Sequence, residues 1–177
     1  MDKELAIRLK ANGMTVVIKD LSEENLDDHP CFKYLRTTER TVAITKNWLR
    51  KVYSKFGACV KVAYIDDKPV AMIQYAPKDI FPHINQPDAH KTILIHCVYI
   101  ADKKYERKGI GRRLVEALIN DLRKPHPYLK GEKFEKIEAL AGKGRPGPAG
   151  PVEFFVKLGF EVVKQFSKYD VLVRLHL

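Results

Sequence analysis

Tyr105-Glu106-Arg107-Lys108-Gly109-Ile110-Gly111-Arg112-Arg113-Leu114 joins a strand-like run, Thr92 to Ile100, to an amphipathic helix through a basic turn that carries two glycines. The helix is read from spacing. Ile110, Leu114, Val115, Leu118, Ile119 and Leu122 recur at helical intervals, with Arg112, Arg113, Glu116, Asn120 and Asp121 between them. Pro125 and Pro127 stop it. The first N–H groups of a helix have no partner within it and its dipole is positive there, so phosphate oxygens are favoured at such a start. Glycine lets a ligand approach the backbone, and Arg107, Lys108, Arg112 and Arg113 add charge. The stretch therefore reads as a cradle for a pyrophosphate, although a G-x-G turn also occurs for backbone reasons alone.

Two other phosphate motifs do not fit. A dinucleotide fingerprint needs a third glycine where Leu114 stands, and a Walker A loop needs Ser or Thr after G-K, whereas Gly142-Lys143-Gly144-Arg145 runs into Pro146. Glu106 to Gly111 resembles instead the acetyl-CoA loop of the GCN5-related N-acetyltransferases (GNAT), [QR]-x-x-G-x-[GA], set after a long central strand and before a helix. Phe154-Phe155-Val156-Lys157-Leu158-Gly159-Phe160-Glu161 is similar to the same family's F-Y-x-K-L-G-F-E segment. The two segments come in the family's order, with one strand between them.

Composition is consistent with a single domain spanning residues 1–177. The chain has 177 residues, of which 45% are hydrophobic, and no long polar low-complexity tract. No run of about 18 apolar residues could cross a bilayer, and Met1-Asp2-Lys3-Glu4 does not open a secretory leader. The expectation is a cytoplasmic protein with no membrane partner. Cys31, Cys59 and Cys97 are too scattered for a metal site or a disulfide framework and read as free thiols. The net charge of +10 raises nucleic acid as a partner, but the basic residues are interleaved with acids and no aromatic RNA-binding signature accompanies them.

Coarse patterning places the rest. Met14–Lys19, Ala58–Ile65, Pro69–Tyr75, Thr92–Ala101, Phe134–Ala141, Phe160–Ser167 and Val171–His176 read as strands. Thr38 caps a helix from Glu39 to Phe56 whose apolar face is Ile44, Trp48, Leu49, Val52, Tyr53 and Phe56. A second, short helix runs from Val152 to Leu158, and Asp66-Asp67-Lys68 turns a hairpin. The fold class expected is mixed α/β, a GNAT-like central sheet of six to seven mostly antiparallel strands flanked by helices.

The resemblance implies an acyltransferase that moves an acetyl group from acetyl-CoA to a primary amine by direct attack in a ternary complex. It places backbone groups of Val98, Tyr99 and Ile100 against the pantetheine amides, in the manner of an added strand, with Phe155 beside the cofactor. It also places Arg107, Lys108, Gly109, Ile110, Gly111 and Arg112 around the pyrophosphate. Catalysis then needs a neutral amine, stabilisation of the developing oxyanion, and a proton for the departing thiolate. Two residues differ from the family pattern. Glu106 stands where Gln or Arg is usual, and Phe155 occupies the position of the tyrosine that often gives that proton.

Substitutes are Cys97 on the central strand, as proton donor or acceptor, and Glu138 on the next strand, as a base acting through water. A buried core thiol and an ordinary exposed strand residue are the plainer readings of these two. His96, on the opposite face of the strand from Cys97, and Tyr99, Tyr105 and Tyr169 are further donors to consider. Lys143 and Arg145, in the Gly- and Pro-rich loop Ala141–Pro151, read as contacts for CoA phosphates or an acidic substrate, and Phe81-Pro82-His83 as lining for the acceptor. The acceptor amine is not identified by the sequence. A homodimer built on the sheet or on the final strand is compatible with it. The rival reading is a non-catalytic protein that binds or senses acyl-CoA, which Phe155 favours.

Overall fold

A computed structural model describes residues 7–11, 13–35, 37–81, 89–145, 147 and 149–177. The chain divides into two compact units, Met1–Ile73 with Tyr99–Leu118, and Gln74–Val98 with Ile119–Leu177. The divisions fall inside single elements rather than in loops.

In the first unit, β1 (Ile7–Ala11) pairs antiparallel with β2 (Met14–Asp20), from Ile7↔Ile18 to Ala11↔Met14. On its other side β2 pairs antiparallel with β3 (Val60–Ile65), from Val17↔Tyr64 to Asp20↔Lys61. Lys61 is nearly buried and is neutralised there by Asp20 at 2.7 Å. Between β2 and β3 lie α1 (Pro30–Tyr34) and α2 (Glu39–Phe56). The Thr38 hydroxyl accepts from the Thr41 N–H at 3.2 Å, the cap expected of it. Asp66 and Asp67, both at positive φ, turn the chain into β4 (Lys68–Pro77), so Lys68 opens the strand instead of sharing the turn.

The buried stripe of α2 is Leu49, Val52 and Phe56, while Ile44 and Tyr53 are 60% and 50% exposed. At 3.6 residues per turn Tyr53 stands about 70° and Ile44 about 110° from the centre of that stripe. The helix faces inward along a narrower band than its apolar composition suggested. By contrast α3 (Ile110–Leu122) follows its spacing closely, with Ile110, Leu114, Val115, Leu118 and Leu122 all buried.

In the second unit β5 (Thr92–Ile100) pairs parallel with β6 (Lys136–Gly142). β6 pairs antiparallel with β8 (Asp170–His176), from Lys136↔His176 to Gly142↔Asp170. The short α4 (Val152–Val156) precedes β7 (Glu161–Gln165), which pairs antiparallel with β8 and carries a register shift between Val162 and Lys164. Buried on one face of this unit are Ile93, Ile95, Ile137, Ala139, Val171 and Val173, which alternate along their strands as core residues do.

The strand order is β1-β2-β3-β4-β5-β6-β8-β7. All seven strands expected from the sequence are present within a few residues of their read limits, in a mixed, mostly antiparallel sheet with helices. β1 is an eighth strand that the patterning did not call. Among the described residues no helix is long and apolar enough to cross a membrane.

Candidate active site

Between β5 and α3 the chain makes a single 3-10 turn, Lys103–Tyr105, capped by the Asp102 carboxylate, which accepts from the Lys104 N–H at 3.0 Å. Arg107 then takes φ 55° and Gly109 φ 82°. The Gly109 carbonyl accepts from the Arg113 N–H at 3.0 Å, so Gly109 caps α3 and the N–H groups that follow it open the helix. A Cβ added at Gly109 would meet nothing within 4 Å. Glycine is therefore required here by the positive φ, not by crowding within the protein, and the space in front of the turn is open. Arg107 and Lys108 are exposed, whereas Ile110 is buried and anchors the helix start.

Not all the local cations are at liberty. Glu116, one turn into α3, holds Arg112 at 2.7 Å and Arg113 at 3.1 Å. Burial alone would raise its carboxyl, but the hydrogen bonds and charges of these two arginines outweigh that and hold it below the ordinary value. Arg107 and Lys108, which precede the glycine, are exposed without an ion pair among the described residues, and Arg112 is exposed as well although Glu116 holds it.

The second feature is where two strands part. The β5–β6 ladder runs from Thr92↔Lys136 to Ile95↔Ala139 and ends there, although β5 continues to Ile100 and β6 to Gly142. Past that point the chain's own loop takes the vacated edge of β6. The Ala149 N–H donates to the Leu140 carbonyl at 3.1 Å, the Gly142 N–H donates to the Gly150 carbonyl at 2.9 Å, and Gly142 and Pro151 form a parallel bridge. Gly147 makes this docking feasible, because a Cβ there would stand 2.2 Å from the Gly142 nitrogen.

Cys97 lies just past the parting and is half-buried. Burial pushes its thiol above the ordinary value, so it carries its proton at neutral pH. His96, on the other face, packs its ring against Phe81 at 4.5 Å, and burial lowers it to about 4, so it is neutral at pH 7. Tyr99 and Tyr105 are half-buried and Tyr169 is exposed.

Glu138 is not the water-accessible base that its strand position suggested. It is 1% exposed, and both oxygens are engaged: Oε2 accepts from Lys78 Nζ at 2.6 Å, and Oε1 accepts from Arg174 Nε at 2.9 Å and Nη2 at 2.6 Å. With both oxygens taken by cations and the side chain closed off from solvent, no water can reach the carboxylate directly. Lys78 and Arg174 were not singled out in the sequence. The signal for Arg174 was a charge inside the apolar run Val171–Leu175.

Phe155 is fully buried, its ring edge-on to Phe160 at 5.2 Å and to Phe154 at 5.1 Å. It is a core ring with no group to donate. Arg145 is bonded to Asp170 at 3.1 Å and lies over the Tyr169 ring, whereas Lys143 is exposed. Phe81 is described, while Pro82 and His83 lie outside the described residues.

A sequence profile of the acetyltransferase (GNAT) family matches residues 18–136. Against curated protein sequences the chain has no match. Solved structures share its fold at low identity. An N-acetyltransferase from Staphylococcus aureus Mu50 superimposes with TM-score 0.63 at 13% identity, over 92% of this chain and 97% of that one. An acetyltransferase from Thermus thermophilus gives 0.62 at 15%, over 97% and 100%. Arabidopsis thaliana Naa50, in complex with the bisubstrate analogue CoA-Ac-MVNAL, gives 0.58 at 15%, over 92% and 99%. With the profile covering well over half of its length, this chain belongs to the acetyltransferase (GNAT) family.

Proposed function

We propose that the protein is an acetyl-CoA-dependent N-acetyltransferase acting on a primary amine. The observation that carries this reading is the β5–β6 ladder ending at Ile95↔Ala139 on a strand that the chain follows, through one 3-10 turn, with a helix start turned by Gly109. The open, basic turn suits a pyrophosphate, held by N–H groups at the start of α3 together with Arg107 and Lys108. A parted strand edge suits a chain of amides, which adds as a short strand along Val98, Tyr99 and Ile100. Support also comes from Naa50, whose structure holds a CoA-based bisubstrate analogue.

In the reaction, the acceptor nitrogen forms a bond to the thioester carbonyl carbon, the carbon–sulfur bond breaks, and its electron pair leaves on sulfur. The amine gives up one proton and the thiolate takes one. Cys97 is the residue of this chain suited to supply the second proton, being protonated at neutral pH and situated just past the parting. Glu138 serves as a fixed anion that holds Lys78 and Arg174 in place.

The test is titration calorimetry of acetyl-CoA and CoA against the wild type and Gly109→Glu, followed by thiol release over a panel of amines. Binding abolished by the substitution, with thiol released only when an amine is present, is the expected result. Tight binding with no turnover on any amine would instead favour an acyl-CoA sensor, the reading to which the fully buried, hydroxyl-free Phe155 lends weight. Cys97→Ala is expected to lower kcat by about 10-fold or more with little change in KM for acetyl-CoA.

A further inference from the structure

Resting on the acyltransferase reading, we infer that the acceptor carries a carboxylate as well as its amine, and that Arg174 is the group that receives it. Glu138 sits one residue before the last β5–β6 pair, in register with Leu94 of β5 and with Arg174 of β8, so the three side chains lie on one face of the sheet. His96 is the next residue of β5 on that face, and its ring meets Phe81.

Two cations converge on this one acid. Lys78 takes one oxygen of Glu138, and Arg174 spends Nε and one Nη2 hydrogen on the other. Arginine has five N–H donors, so three of those on Arg174, including both on Nη1, make no hydrogen bond among the described residues. Its side chain is 27% exposed, so it is not sealed inside the protein.

The direction in which Arg174 turns is informative. Glu161 stands opposite it across the β7–β8 pair and is exposed, yet the guanidinium forms no ion pair with Glu161 and turns inward to Glu138. That inward pose carries it toward β5, which lies two strand spacings, about 10 Å, from β8. The other titratable groups that the register places on this face are Lys136, which is nearly buried, His176 and Asp170 on β8, Lys164 on β7, and His96, neutral at pH 7. With Lys78, Lys136, Lys164 and Arg174 against Glu138, Asp170 and the outward Glu161, the balance is +1. An anionic group is therefore matched here, and a second ammonium is opposed. A guanidinium fixed by a buried carboxylate is a pre-organised, two-pronged receptor for a carboxylate. The acceptors that fit are amino acids and short peptides bearing a free carboxylate near the amine, rather than polyamines.

Paired acceptors differing only in that group provide the test: glycine against glycinamide, phenylalanine against phenylalaninamide, and glycylglycine against its amide. Thiol release is followed with wild type, Arg174→Lys and Arg174→Met. The expected result is a kcat/KM about 10- to 100-fold higher for at least one acid than for its amide. That ratio should collapse to near unity in Arg174→Met, through KM, and recover in part in Arg174→Lys. Because each ratio comes from one preparation, a partly folded variant does not distort it. Amides used as well as the acids by the wild type, or an acid preference that survives in Arg174→Met, would overturn the inference and leave the acyltransferase reading standing. Thiol release with no member of any pair and with no other amine, while acetyl-CoA binds, would overturn both.

Discussion

At the residue scale, His96 and Gly109 each hold a state that their environment dictates. Burial lowers His96 from an ordinary value near 6.5 to about 4. Between those values the unfolded chain binds a proton that the folded chain refuses, so this contribution to stability is whole above about pH 6.5 and is lost as the pH falls through about 4. The loss is on the order of 3 kcal/mol. Urea denaturation at pH 7 and pH 4 should show a larger drop for the wild type than for His96→Gln; equal drops would mean that the imidazole is not held neutral. At Gly109 a Cβ has room but the wrong backbone conformation. Gly109→Ala is therefore expected to cost about 1–2 kcal/mol in the same denaturation assay, with no clash against the remainder of the chain.

At the scale of elements, the loop seated on β6 is the most demanding. Its two backbone hydrogen bonds need Gly147 to lie against Ala141 and Gly142 more closely than any side chain permits. Gly147→Ala is expected to lift the loop and to cost about 2 kcal/mol or more. Hydrogen exchange should then quicken at the Ala149 and Gly142 amides while the amides of β6 and β8 nearer Ile137 stay protected. Unchanged exchange at those two positions would show that the seat tolerates a methyl group.

The elements also show how far sequence carries. α3 was legible because its apolar positions, apart from the half-buried Ile119, are buried and the stripe follows the helical period. β1 was missed because Ile7–Ala11 is five residues long with two charges, a pattern that pairing to β2 stabilises but that composition does not announce. The cradle could be read from Gly109, which a positive φ calls for, while Gly111 lies within α3. The Lys78–Glu138–Arg174 cluster could not, because its members lie far apart in the chain and meet only through the register of β6 and β8 and the turn after β4.

At the scale of the whole molecule, one end of the strand order stands open. β7 is exposed on both faces, with Val162 52% and Val163 41% accessible, and Val156 and Phe166 exposed nearby. Such an edge is a template for another strand unless charge guards it. Paired antiparallel with a second copy so that Val162 meets Val163, β7 would place each Glu161 opposite a Lys164, a self-complementary match. Sedimentation velocity at rising concentration is expected to show a dimer that Val163→Lys weakens. A monomer at every concentration would set this edge aside as a dimer surface. The charge of +10 opposes association at low ionic strength, so added salt should favour the dimer.

The seated loop bears finally on inhibitor chemistry. Where β5 and β6 part, one bank is occupied by the protein's own chain, so a guest that tried to bond to β6 would first have to peel away Gly147, Ala149 and Gly150. A competitor designed for this cleft thus needs its donors and acceptors along one flank only, the flank turned to β5. Its other flank can be plain hydrocarbon, and a symmetric, two-sided peptide mimic would carry polar groups that cost desolvation and gain nothing.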